Sequence, residues 1–307
     1  MNHPTVFYYP ITSSDAKEIS SAARLVLEEF LKDQKDFVFS DKPVLKIHPG
    51  QPGNVTYLLP SYYDGIIDFL LEQKKHPSFI ETNVATGERA KKDTHIQATL
   101  KHGFIRIPYM IADGQEGEEY VSVPIAQGKH FTSCMIAKGL SEQKQVIVLS
   151  HFKGHIASGF GGTIKMLGIG FASRLGKIQQ HSKVYTPEQK TINWGDRENI
   201  YWKEPFVERV VEYARAAVEN KKNIYFNFAL NLTKNCDCDG HKMKPLYQNL
   251  GILCSADPVA IDKTAPDLLE KREGKKPFED YGIFPYAEKL GLGSASYTLQ
   301  TIPNEKK

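Results

Sequence analysis

Cysteine is scarce: the 307 residues hold four, at positions 134, 236, 238 and 254. So few exclude a disulfide-stapled scaffold. An excess of one charge is missing as well. Lys and Arg number 39 against 36 Asp and Glu, a formal net charge of +3, and no block of like charge runs beyond a few residues. Nothing therefore points to a nucleic-acid-binding face. No apolar run reaches the ~18 residues of a membrane span, and the opening "MNHPTVFYYP" lacks a basic region followed by an apolar one. The expectation is a cytoplasmic protein without leader or membrane anchor. Fixed-period repeats and low-complexity tracts are absent too. What remains is 41% hydrophobic and 24% charged residues, the composition of a folded globular chain. The length fits one large α/β unit or about two domains.

The local patterns alternate. "SSDAKEISSAARLVLEEFLKDQ" has apolar residues at helical spacing behind a Ser-Asp start. "KPVLKIHPG" then reads as a strand, "PSYYDGIIDFLLEQKK" as a helix entered through proline, "PSFIETNVATG" as a strand and "KKDTHIQATLKHG" as a helix stopped by Gly103. "EYVSVPIA" and "HFTSCMIA" are β-like, and "KQVIVLSHF" is the most strand-like run. After it comes one stretch of helical character, "TIKMLGIGFASRLGKIQQH". The second half adds the helix "EPFVERVVEYARAAVENKK" and the strands "NIYFNFALNL" and "LGILCS". Next is a helix "ADPVAIDKTAPDLLEK" with Asp257 as cap and Pro258 in its first turn, and the end holds a short helix, the strand "SASYTLQTI" and a loose "PNEKK" tail. Such alternation predicts an α/β fold, a mainly parallel sheet layered with helices in one or two lobes. The polar, aperiodic segment 183–199 is the natural connection between an N-terminal α/β lobe over 1–185 and a C-terminal one over 196–307.

In parallel sheets ligands bind beyond the carboxyl ends of strands, which draws attention to the exits "IHPGQPGN", "ETNVATGER" and "SHFKGH…GFGG"; three groups of residues could carry chemistry. The stretch "HFKGHIASGFGGTIKMLGIGFASRLGKIQQH" follows the strongest strand. Gly159, Gly161 and Gly162, with the hydroxyl of Thr163 and the charge of Lys165, suit a phosphate or carboxylate cradle at a helix start. They suit equally a corner where a helix packs tightly on the sheet. His155, ten residues before Lys165, and His181, sixteen after it, add proton-transfer, metal-ligating or Schiff-base chemistry. A place at a helix end, where the dipole favours imidazolium, is the plain alternative for His181, and solvent exposure that for His151 and Lys153. The second group, "NCDCDGH", offers Cys236, Cys238 and His241 to zinc or another thiophilic metal, although an Asp-Gly turn has the same composition. The third is a front edge of Lys46, His48 and Asn54, then Thr82, Asn83, Thr86 and Arg89, able to contact an anion or merely to cap helices.

Together, "KIHPGQPGNVTYLLP", "ETNVATGERAKKDTHIQATLKHGF", the His/Gly/Lys stretch, "FNFALNLTKNCDCDGH" and "GILCSADPVAID" resemble the uncharacterised family of iron–sulfur centre proteins that carries the domain of unknown function numbered 362. Many of its members hold a ferredoxin-like insert of Cys-x-x-Cys ligands after the "GKxxQHS" region. Here that place holds "KVYTPEQKTINWGDREN", without cysteine, so no iron–sulfur cluster is expected. More distantly, "HIASGFGGTIK…H" is similar in order and spacing to a motif of lactate racemase and its relatives. That resemblance implies a nickel nucleotide tethered to Lys165, nickel ligation by His181 and acid/base work by His155. The racemase pattern continues into Pro-Gly where this chain has "LGIG". Its second acid/base histidine aligns with "ATGERA", which puts Glu88 or Arg89 at that place.

The expectation is an enzyme core that binds a small anionic substrate or cofactor. His155 and Lys165, with Glu88 as a further base, would do the chemistry, and Gly159, Gly161, Gly162, Thr163, Lys46, His48, Asn54 and Arg89 would hold the anion. A nickel or zinc ion could sit on His181 or on Cys236, Cys238 and His241. A racemase-like proton transfer is the special case. The alternatives are a non-enzymatic metal or cofactor carrier, and a structural zinc loop beside a packing corner. The oligomeric state stays open, a homodimer included.

Overall fold

A computed structural model describes residues 3–303. The first half contains β1 (Thr5–Pro10), α1 (Ala16–Asp33), β2 (Val44–Lys46), α2 (Asp64–Glu72), β3 (Ser78–Glu81), α3 (Lys92–Lys101), β4 (Tyr109–Ile111), β5 (Tyr120–Pro124), β6 (Ser133–Ala137) and α4 (Lys138–Ser141). Then come β7 (Val146–His151), β8 (Lys153–His155), β9 (Gly159–Gly161), α5 (Thr163–Gly168) and α6 (Arg174–His181). The last part holds α7 (Lys203–Ala217), β10 (Ile224–Ala229), β11 (Gly251–Ser255), α8 (Pro258–Glu273), α9 (Ile283–Lys289) and β12 (Thr298–Thr301). Of the loose tail, 304–307 lie outside the described residues.

Eight strands form one sheet in the order β12-β1-β11-β10-β7-β2-β3-β4. β11 runs against both of its neighbours; every other pair is parallel. The fold is therefore α/β with a mainly parallel sheet. Strands from both sides of the 183–199 connection enter this sheet, so the stretches 1–185 and 196–307 share it. β5 and β6 form a separate antiparallel pair, as do β8 and β9.

The central strands β7, β10 and β11 are buried along their whole length because both faces are covered. In β7, Val146 and Val148 join the core with α5, α7, α8 and α9, while Ile147 and Leu149 join the core with α1 and α2. The two-residue repeat of a strand does this sorting. Asp257 caps α8 as its sequence predicts, accepting from the Val259 and Ala260 N–H groups at 2.8 Å each.

Two details differ from the sequence reading. β1 and β4 are strands that the pattern did not mark. The helical stretch after Gly162 is two helices: α5 stops at Gly168, and Ser173 starts α6 by accepting from Gly176 N at 3.1 Å. Among the described residues no helix is long and apolar enough to cross a membrane.

Candidate functional site

β2, β7 and β10 are adjacent and parallel, with Lys46 opposite Val148 and His151 opposite Phe228. Their exits therefore open at one end of the sheet. β2 delivers His48, β7 delivers His151 and the β8–β9 hairpin, and β10 delivers the "NCDCDGH" loop. Two groups that lie some eighty residues apart in sequence become one.

The glycine-rich turn serves packing. Gly159 has φ +79° and a Cβ there would lie 1.9 Å from Glu279 O, so only glycine fits. The helix start beyond it is already filled by a carboxylate of the chain itself. Asp262 on α8 accepts from Thr163 N at 2.7 Å and Ile164 N at 2.8 Å, and Asn227 Nδ2 donates to it at 2.7 Å. A Cβ on Gly162 would strike Asp262 Oδ1 at 2.4 Å. This corrects the cradle expected of Gly159, Gly162 and Thr163: a carboxylate does bind there, and it is Asp262. Gly161 alone borders the candidate site, its Cβ position lying 3.5 Å from Lys165 Cδ and 3.8 Å from Lys153 Cε.

Burial pushes the Asp262 carboxyl up to about 6, against the hydrogen bonds from Asn227, Ile164 and Thr163. The folded state then holds a proton that the unfolded chain, near 3.9, has released. This contribution to stability is fully present below pH ~4 and is lost as pH rises through ~6. Asp262→Asn removes that dependence. In urea unfolding across pH 4 to 7, the variant is expected to gain about 2–3 kcal/mol relative to wild type. A constant difference would refute the raised carboxyl.

The "NCDCDGH" loop is anchored by its central carboxylate. Asp237 is fully buried and its Oδ2 meets His151 Nδ1 at 2.7 Å and Lys153 Nζ at 3.0 Å. The other ring nitrogen of His151 donates to Leu230 O at 2.6 Å. Burial alone would raise the Asp237 carboxyl, but the charges of His151 and Lys153 hold it well below the usual range. His151 and Lys153 are thus buried anchors, not solvated groups. The β2 exit straps the loop from the other side: Gln51 N donates to Asp237 O at 2.9 Å and Asn54 Nδ2 to Asp239 O at 3.2 Å.

With Asp237 turned inward, the flanking cysteines face the hairpin. His155, Cys236 and Cys238 present donor atoms that all lie within 4.8 Å of one another. Lys165 Nζ is 3.6 Å from Cys236 Sγ. The hydrogen bond to Cys238 lowers the Cys236 thiol well below the ordinary cysteine range; burial opposes this, and Lys165 and Lys153 assist it. Burial weakens the Lys165 ammonium, but the negative charges of Cys236, Cys238 and Asp237 outweigh it and raise the group.

The imidazoles go the other way. Burial, with the charges of Lys165, His181 and Lys153, holds His155 well below its ordinary value. Burial with Lys165 and Lys177 brings His181 down to about 3. His48 is depressed by burial and by Arg89, Lys153 and Lys165, against Asp237. All three are neutral near pH 7, so burial overrides the helix-end dipole at His181. That ring stacks on Phe206 at 4.4 Å, meets Trp194 edge-on at 5.0 Å, and its buried Nδ1 has no hydrogen-bond partner among the described residues. Trp194 belongs to the 183–199 connection and donates to Thr86 Oγ1 at 2.7 Å, so the connection covers this flank.

Other expected members lie elsewhere. Lys46 is fully buried, paired with Glu81 and donating to Ile47 O at 2.9 Å. Arg89 is fully buried between Glu81 Oε2 at 3.4 Å, Gln51 Oε1 at 3.0 Å and His48 Nε2 at 3.2 Å. Both are spent on internal partners. Asn54 Oδ1 accepts from Thr56 N and Tyr57 N, each at 2.9 Å, so it shapes its own turn. Glu88 is exposed on a single turn of 3₁₀ helix. His241 is 89% exposed and bonded to Asp239, apart from the thiols. Cys134 and Cys254 are buried in β6 and β11. The sequence reading missed Asp237 and Asp262 as anchors. Pairing of β7 with β10 was the signal that would have joined His151 and Lys153 to Asp237.

A crystal structure of a Thermotoga maritima protein is similar over 87% of this chain and 60% of that one, with 11% identity and a TM-score of 0.54. The lactate racemase apoprotein of Thermoanaerobacterium thermosaccharolyticum is similar over 73% of this chain and 50% of that one, with 15% identity and a TM-score of 0.46. The chain thus spans 50–60% of the length of these solved structures. No curated protein matches it. The model of the domain of unknown function DUF362 matches residues 44–267, from β2 into α8 and across every strand exit of the candidate site, and the chain belongs to that family.

Proposed function

We propose that the chain is an enzyme core that takes a small anionic ligand beside Lys165 and moves a proton on it through His181. The observation that carries this reading is the pairing pattern of the cations. Lys46 and Arg89 are matched to Glu81 and Lys153 to Asp237, and Lys177 donates to Thr82 Oγ1 and Ala172 O. Lys165 is half-buried, and among the described residues its side-chain hydrogen bond is to a sulfur. A bound carboxylate or phosphate would add the charge-assisted oxygen partner that Lys165 lacks among the described residues. His181 is held down by burial and by the charge of Lys165, its Nδ1 has no hydrogen-bond partner among the described residues, and an anion bound on Lys165 would offset that charge and return basicity to the ring. Lys165 would stabilise the negative charge that develops when a proton leaves the carbon next to a bound carboxylate.

The test uses short carboxylates and phosphate monoesters in deuterated water. Some of them should raise the melting temperature, and a carbon-bound proton should exchange with solvent by NMR. His181→Ala is expected to keep the melting shift and slow exchange by about 100-fold or more. If no anion stabilises the protein, or the variant exchanges as fast as wild type, the reading is wrong.

The lysine-tethered nickel nucleotide does not fit these residues. Lys165 Nζ is engaged with Cys236 Sγ at 3.6 Å, and Glu88 stands exposed where that reading needs a second base.

A further inference from the structure

We propose that His155, Cys236 and Cys238 form a binding site for a thiophilic divalent cation of the zinc type, with one coordination position left open. The site rests on these three donors alone and is independent of the proton-transfer reading. Two sulfurs and one imidazole nitrogen are the donor set that selects zinc or cadmium over magnesium or calcium. Three protein ligands are what zinc sites that act on a bound water or substrate provide.

The geometry is near that of a bound state. Cys238 Sγ lies 4.0 Å from His155 Nε2, and all three donors lie within 4.8 Å of one another. Tetrahedral zinc, with bonds of about 2.3 Å to sulfur and 2.0 Å to nitrogen, places its donors roughly 3.5–3.8 Å apart. Closing the remaining gap takes about an ångström, which the exposed Cys238 can supply. His155 and Cys236 are buried and held, the latter by the Asp237 anchor next to it.

The surroundings of His155 decide which nitrogen faces the metal. Its Nδ1 is the inward nitrogen, 3.2 Å from Ala157 N and 3.1 Å from Ser158 N, which leaves Nε2 toward the sulfurs. Ligation through Nε2 requires the ring proton to sit on Nδ1. Ser158 Oγ is 2.9 Å from Nδ1 and itself donates to Phe160 O at 2.6 Å. The chain Nδ1–H to Ser158 Oγ to Phe160 O is the second-layer support that zinc-bound histidines have. Ser158 is therefore a positioning residue. Metal uptake needs Nε2 without its proton and both sulfurs as thiolates, so any thiol protons go to solvent and the ring keeps its single proton on Nδ1. Lys165 stands against the same thiolate, so the metal and an anion on the lysine would be neighbours.

The test takes the purified full chain, stripped by a chelator under reducing conditions. Zinc is titrated against a chromophoric chelator, and cadmium is followed by its ultraviolet thiolate charge-transfer band. Stoichiometric binding is expected. Cys236→Ser, Cys238→Ser and His155→Ala should each weaken it by about 100-fold or more, and Ser158→Ala by about 10–100-fold. His241→Ala should bind as wild type does. Melting curves of the metal-free variants separate loss of ligand from loss of fold. Absence of stoichiometric binding, unchanged affinity in either serine variant, or loss in His241→Ala would overturn the site.

Discussion

Lys165→Met is expected to abolish the stabilisation by small anions while leaving the ligand-free melting temperature close to that of wild type. The side chain is half-buried and has no carboxylate partner among the described residues; methionine replaces its methylenes, and Cys236, which loses the ammonium at 3.6 Å, keeps its hydrogen bond with Cys238. A charge-assisted hydrogen bond contributes about 1.5–3 kcal/mol, which is roughly 10–100-fold in affinity. The same substitution removes a positive charge beside Cys236, so zinc affinity should hold or rise. Isothermal titration with an anion and with zinc, on one preparation, reads both. Retained anion affinity would discard the proposed function and leave the metal site standing. Loss of both would mean that Lys165 shapes the loop.

The second large effect is expected from Asp237→Asn. This carboxylate is completely buried and carries the hydrogen bond of His151 and the ion pair of Lys153. Removing one partner of a buried pair costs about 3–5 kcal/mol, because the charges left behind have no solvent. Against a total margin of about 5–15 kcal/mol that is a large fraction. A melting temperature lower by on the order of 10 °C is the expected reading. Zinc binding should fall with it, since the loop holding both thiols loses its anchor. Asp237→Glu, which keeps the charge, should recover part of both. Wild-type stability in Asp237→Asn would show that the loop is held by its backbone contacts alone.

Much of this was legible in the residues. The helix at "ADPVAID" could be read with its cap, because Asp followed by Pro is a local signal satisfied by neighbours two and three positions away. The strand "VIVLSH" could be read because a doubly covered strand is apolar throughout. His155, Lys165 and His181 could be singled out from glycine, lysine and histidine at a strand exit. The partner of the histidine could not. Cys236 and Cys238 meet His155 because β10 lies beside β7, and strand order is set by packing across the whole sheet. The expected metal set took the nearest histidine in sequence, His241, where the fold supplies His155. The cradle reading expected a ligand's phosphate or carboxylate at the start of α5, where the fold puts the side chain of Asp262 from α8, some hundred residues on. In each case the chemistry was local and the partner was not.

The position of β1 has a temporal consequence. It pairs with β11 on one side and β12 on the other, so Phe7 waits for Cys254. At ~5–20 residues per second, a ribosome needs roughly 10–50 s to deliver that partner. For that interval the "VFYY" ribbon has neither neighbour, and α1 cannot yet settle on a finished sheet. The nascent chain must therefore be shielded, by its own collapse or by a chaperone, until the last quarter emerges. Assembly of this protein is governed from its far end.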